Sequence, residues 1–142
     1  MVEIIVKSIR VKTGLSKSRL KELDYSLNPY LGCAYSCTYC YAPNFTPNEE
    51  ASLNWGKVII VKENLLEILR KEVFLKRKGT VGVSTITDPY QPIEALKKIT
   101  RESISLLLNH NFRVSIQTKS PLVLRDLDIL IPVSYTHLTL PT

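Results

Sequence analysis

Residues 3–12, EIIVKSIRVK, mix apolar and basic positions with high β-branched content and predict an extended strand. The polar stretch TGLSKSRL connects it to SLNPY, a short strand; Pro29 forbids a helix interior there, and Gly32 beyond it permits a tight bend. Residues 43–57 hold Pro43, Pro47 and Gly56 and predict an irregular loop. From Asn64, a favourable N-cap, the positions Leu65, Ile68, Leu69 and Leu75 form an apolar stripe at helical spacing that runs toward Gly79. TVGVSTIT, residues 80–87, is β-branched and predicts a strand. Pro92 opens a helix over residues 93–109 with Ile93, Leu96, Ile99, Ile104, Leu107 and Leu108 along it; FRVSIQTK, 112–119, is a further strand, and residues 122–130 a further helix.

Strands that alternate with helices in this way imply βαβ units and the α/β class, with a parallel sheet or barrel. In RVSIQTK one face carries Val114 and Ile116 and the other Ser115, Gln117 and Lys119. Closed eight-stranded barrels fill their interior with bulky branched side chains, so this polar face suits a lumen that holds something polar. An edge strand with one solvated face shows the same pattern.

At 142 residues the chain is the size of one domain, and its 44% hydrophobic and 23% charged content is globular. MVEIIVKSIR lacks a signal-peptide core, and no apolar run reaches membrane-spanning length. The expected compartment is the reducing cytoplasm, where clustered cysteines mark metal or redox chemistry more often than disulfides. The formal net charge is +6, much of the basic excess lying in KENLLEILRKEVFLKRK, residues 62–78. A solvated helix face accounts for that cluster, and a phosphate backbone is its alternative partner.

All three cysteines, Cys33, Cys37 and Cys40, fall within NPYLGCAYSCTYCYAP, residues 28–43. An odd number strands one thiol of any closed disulfide set. If the segment were helical, all three would share one face as small core hydrophobes, but Pro29, Gly32 and Pro43 crowd it. Structural zinc requires a fourth ligand, and neither His110 nor His137 stands at zinc-finger spacing; His110, in LNHNF at a helix end, is placed to cap carbonyls. A cubane iron–sulfur cluster held by three thiolates keeps one iron open.

The spacing C-x3-C-x2-C, with Tyr39 just before the third cysteine, resembles the signature of the radical S-adenosylmethionine superfamily. YSLNPYLGCAYSCTYCYAP, TDPYQPIE and TKSPLVLRDLDIL together resemble its branch that includes spore photoproduct lyase and DNA-repair photolyase-like proteins, over roughly residues 15–132. The resemblance implies the N-terminal portion, about three β/α units, of a partial TIM-like barrel. It implies a 4Fe–4S cluster on Cys33, Cys37 and Cys40, and S-adenosylmethionine cleaved reductively to a 5′-deoxyadenosyl radical. A donor such as flavodoxin or ferredoxin would supply the electron, and a nucleic-acid lesion is the substrate the branch suggests, with a protein or a small metabolite as the competing substrate; the alternative function is a zinc- or cluster-binding module without catalysis. By the same resemblance the cofactor-binding residues are Tyr39, Thr87, Asp88, Thr118, Lys119 and Ser120, while no catalytic residue is assigned.

The residues themselves allow plainer roles. Asp88-Pro89 is a turn initiator as well as a carboxylate for an ammonium group. Glu94 suits the first turn of its helix, and Lys119 suits a solvated strand end. Five tyrosines, Tyr25, Tyr30, Tyr35, Tyr39 and Tyr41, lie close together in the sequence and either pack around the cysteine loop or form a stacking platform for bases. Residues 1–24 read as an N-terminal extension and 25–134 as a partial core. After Ser134, YTHLTLPT departs from the family pattern, and 135–142 read as a foreign tail.

Overall fold

The structure is a computed structural model that describes residues 4–18, 20–32, 57–84, 87–130 and 136–139. Two sheets make up the frame. Strand β1 (Ile5–Ile9) pairs in parallel with β5 (Val58–Lys62), and β4 (Tyr30–Leu31) pairs antiparallel on the other side of β5. In the second sheet β2 (Ser16–Lys17) lies antiparallel to β3 (Tyr25–Leu27), and β3, β6 (Thr80–Val83), β7 (Arg113–Gln117) and β8 (Thr136–Thr139) follow in parallel. Helix α1 (Leu65–Leu75) connects β5 to β6. Helices α2 (Glu94–Lys97) and α3 (Ile99–Asn109) connect β6 to β7, and a 3-10 turn (Pro121–Asp126) with α4 (Leu127–Leu130) follows β7. Successive parallel strands joined through helices are the expected α/β organisation of a partial TIM-like barrel. Strand β8 lies in the segment read as departing from the family pattern and pairs with β7 from Val114–Thr136 to Gln117–Thr139.

The core lies between the second sheet and the helices. Leu27, Val81, Val83, Val114 and Ile116 pack against Leu65, Leu69, Val73, Ile104 and Leu107, with Phe112 buried among them. Each such side chain gains about 1.5–3 kcal/mol from burial. On β7, Val114 and Ile116 face the helices, and Ser115 and Gln117 project from the other face, half-buried and exposed. Strand β7 lies between β6 and β8, so it is no edge strand.

Several expectations are corrected. Strand β5 was not foreseen, because Val58–Val61 is a continuous apolar run without alternation. Both of its faces are buried: Ile59 and Val61 join the main core, while Val58 and Ile60 pack with Leu31 and Ile9. SLNPY does not form one strand; the chain passes at Asn28-Pro29 from β3 in one sheet to β4 in the other. Asn64 precedes α1 but caps nothing; its amide instead accepts from Val11 N at 2.8 Å and donates to Val11 O at 2.8 Å. Helix α1 ends at Leu75, short of Gly79. The helix expected over residues 93–109 is broken at Lys98, which adopts a left-handed φ of 55°.

The N-terminal segment is tied to α1. Glu72, nearly buried, accepts from Gly14 N at 2.9 Å and Leu15 N at 3.0 Å, and Lys76 lies 3.2 Å from its other oxygen. Arg70 and Lys71 on α1, and Arg77 and Lys78 just beyond its end, are exposed, as a solvated face requires. No described helix is long and apolar enough to cross a membrane.

Candidate functional site

Three chain segments meet where β4, β6 and β7 end. The first is Tyr30–Gly32, which leads directly to Cys33. Its geometry is fixed by close backbone approach: Gly32 has φ +84°, and a Cβ there would lie 2.3 Å from the Val58 carbonyl oxygen. Only glycine meets both demands.

The second segment follows β6. Ser84, at φ 60°, turns the chain out of the strand while its N–H donates to Leu27 O at 2.6 Å. Thr87 Oγ1 donates to Tyr30 O at 3.4 Å. Asp88 is buried, and its Oδ1 accepts from Tyr90 N at 2.9 Å, the local turn that Asp-Pro allows.

The same carboxylate reaches the third segment, after β7. Asp88 Oδ1 accepts from Thr118 Oγ1 at 2.5 Å and Oδ2 from Lys119 N at 3.0 Å. Thr118 Oγ1 accepts from Ser120 N at 3.0 Å, and Ser120 Oγ accepts from Leu122 N at 3.2 Å, which caps the 3-10 turn. Asp88 is therefore a staple between two strand ends, with three hydrogen bonds from the described residues on its two oxygens. Thr118 and Ser120 are buried, and Lys119 is exposed on the rim.

Of the predicted site residues, the structure brings Asp88, Thr118, Lys119 and Ser120 together, with Thr87 beside Tyr30. Cys33, Cys37, Cys40 and Tyr39 lie outside the described residues, as do Tyr35 and Tyr41. Among the described residues no cluster of His, Cys, Asp or Glu could hold a metal. His110 Nδ1 lies 2.8 Å from Leu106 O, so the ring donates there and caps the end of α3. Tyr25 donates to Arg77 O at 2.7 Å and packs against Phe112, and Tyr30 is fully buried.

Beneath the rim lies a buried ionic network that the sequence did not reveal. Glu94, fully buried, does not serve its own helix. Its Oε1 accepts from Thr100 N at 2.8 Å and from the Tyr30 hydroxyl at 2.5 Å, and its Oε2 accepts from Arg101 N at 3.0 Å and Arg125 Nη2 at 2.8 Å. Its charge thus sits at the start of α3, where free N–H groups attract an anion. Arg125 and Arg101 also clasp Asp126, and Arg101 forms a two-pronged pair with the exposed Asp128 at 2.8 and 2.7 Å. Burial raises the Tyr30 phenol well above its usual range, and the Glu94 charge raises it further, so Tyr30 stays a proton donor to Glu94. Burial and the Asp126 charge do the same to Tyr90. The adjacent opposite charges of Arg125 and Asp126 were the one sequence signal of this network, and they fit a solvated turn equally well.

Comparison with known proteins gives the following likenesses. The profile of the Radical SAM superfamily matches residues 27–141. An uncharacterized protein of Methanocaldococcus jannaschii is 37% identical over 128 residues, which cover 90% of this chain and 47% of that protein. An uncharacterized protein of Mycobacterium tuberculosis H37Rv is 32% identical over 114 residues, 75% of this chain and 32% of that one. One of Acidianus two-tailed virus is 32% identical over 120 residues, 78% and 39% respectively. Among solved structures, spore photoproduct lyase complexed with dinucleoside spore photoproduct superposes with a TM-score of 0.68 at 18% identity, over 95% of this chain and 38% of that one. That is a likeness of fold. The chain spans less than half the length of each of these proteins.

Proposed function

Because the chain belongs to the radical SAM superfamily, we propose that it is an iron–sulfur protein that holds a 4Fe–4S cluster on Cys33, Cys37 and Cys40 and cleaves S-adenosylmethionine reductively. The observation that carries this reading is that Gly32, after which the three thiols follow in sequence, belongs to one of the segments that meet at the rim Asp88 and Thr118 organise. The donor set fits the group: three thiolates satisfy three irons of a cubane, and the tight Gly32 bend leaves no side chain against β5. Held by Cys33, Cys37 and Cys40, the cluster would supply the one-electron reduction by which S-adenosylmethionine is cleaved.

The protein's own residues bind and orient. Asp88 keeps the ends of β6 and β7 in register; among the described residues three donors reach its two oxygens, and a carboxylate, which accepts about four hydrogen bonds, is the group proposed to receive the cofactor's ammonium. Exposed Lys119 supplies positive charge at the rim for the cofactor carboxylate. Thr87, Thr118 and Ser120 set the backbone around them, and Tyr39, which precedes Cys40 in sequence, is a further proposed cofactor-binding residue. A flavodoxin or ferredoxin is the class of electron donor. The substrate proposed is a nucleic-acid lesion, supported by the fold likeness to spore photoproduct lyase and by the +6 charge.

Anaerobic reconstitution with iron and sulfide, followed by metal analysis and spin-resonance spectroscopy, tests the cluster. A cluster signal perturbed by S-adenosylmethionine is expected; stoichiometric zinc without a cluster signal would replace this reading with a zinc-binding module. Binding to undamaged and ultraviolet-irradiated DNA across a salt series tests the substrate, because phosphate contacts weaken steeply with salt. Tighter binding to damaged DNA is expected, and equal binding to both would reduce the interaction to a basic surface.

A further inference from the structure

Two buried side chains of the segment after β6 reach back to the residues that precede Cys33. Gln91, fully buried, donates from Nε2 to Gly32 O at 3.0 Å, and Glu94 accepts from the Tyr30 hydroxyl at 2.5 Å. Tyr30 and Leu31 are themselves paired with Val61 and Ile60. The Gly32 carbonyl belongs to the peptide unit that leads to Cys33, and a peptide unit is planar. The Gln91 hydrogen bond therefore fixes the orientation of that plane. Glu94 is in turn immobilised by Thr100 N, Arg101 N and Arg125, so the clamp rests on the start of α3.

We propose that Gln91 and Glu94 are positioning residues for the iron–sulfur cluster, acting through Gly32 and Tyr30 on the start of the cysteine segment; this rests on the reading of Cys33, Cys37 and Cys40 as cluster ligands. Gln91 reaches the segment through Gly32 O and Glu94 through the Tyr30 hydroxyl. Their role is to deliver the thiol-bearing segment from a fixed origin, and groups that orient metal ligands in this way govern how firmly the metal is held.

The test uses the full chain, reconstituted anaerobically, with Gln91→Met, which keeps volume and removes the donor, and Tyr30→Phe, which removes only the hydroxyl. Glu72→Gln serves as a control on α1, since it weakens the contact with Gly14 and Leu15 and not with Gly32 or Tyr30. Iron release to a chelator and the thermal midpoint are measured on each. Gln91→Met is expected to release iron about tenfold faster than the parent, Tyr30→Phe faster to a smaller degree, and Glu72→Gln at the parental rate despite a lower midpoint. Parental release from Gln91→Met, or release that simply follows the midpoint in all three, overturns the proposal. If the parent itself takes up no iron, the cluster reading has failed. Alkylation of the metal-free chain with iodoacetamide then reads the positioning role separately. A changed rate of Cys33 relative to Cys37 and Cys40 in Gln91→Met supports it, and unchanged ratios overturn it.

Discussion

Asp126 is fully buried and accepts from Arg125 Nε at 2.8 Å, Arg125 Nη2 at 3.0 Å and Arg101 Nη1 at 2.8 Å. Burial opposes its ionisation, but the hydrogen bonds from Arg125 and Arg101 outweigh that and hold its carboxyl below the ordinary value of 3.8. A carboxylate depressed in the native state contributes its stabilisation fully above the unfolded value and loses it as pH falls through the native one. Asp126→Asn is therefore expected to cost about 3 kcal/mol at pH 7, because two guanidinium groups lose a buried partner. The difference from the parent should shrink below the carboxylate's ordinary value. Urea unfolding at pH 7 and at pH 3 checks both. The same scale explains why Glu94 was misassigned. A glutamate in a first turn ordinarily faces its own N–H groups; here the Lys98 break creates a second helix start at Ile99, five residues further on, and the half-buried Arg125 adds to its pull.

Lys98 is the hinge on which α2 and α3 turn. At φ 55° it closes α2, with its N–H donating to Glu94 O, and opens α3. A left-handed conformation costs a side chain about 1–2 kcal/mol that glycine avoids. Lys98→Gly should therefore stabilise the chain by about 0.5–1 kcal/mol, less than the full strain because glycine loses more backbone freedom on folding. Thermal unfolding against the parent decides it, and a lower midpoint would show that the lysine is not strained. Helical periodicity ran unbroken through this point, since Ile93, Ile99 and Ile104 all turn inward in either arrangement. Strand β5 escaped for a related reason: a doubly buried strand lacks the alternation by which strands are recognised.

Among the described residues β1 is an outer strand of its sheet, and Ile4, Ile5 and Val6 are 41%, 52% and 43% exposed. Unpaired strand groups beside exposed apolar side chains invite pairing with another chain. The isolated chain should associate increasingly with concentration, and Val6→Lys should reduce this without altering the thermal midpoint by more than a few degrees. Sedimentation velocity over a concentration series measures the outcome; equal association of both forms would place the contact elsewhere. Each of the relatives described extends well beyond the length that this chain covers, which is why the substrate stands as a proposal at this scale.

The sequence by itself determined the α/β class, the helix Leu65–Leu75, the strands Thr80–Val83 and Arg113–Gln117, and superfamily membership, because these rest on local periodicity and on cysteine spacing. It also located the three blocks that carry the candidate site. Only the tertiary structure decided what the polar side chains in those blocks do. Asp88 finds Thr118 30 residues away, Gln91 finds Gly32 59 residues away, and Glu94 finds Tyr30 64 residues away. A buried polar group must be satisfied by whatever donor the fold brings near it, and no local pattern records which distant residue that will be.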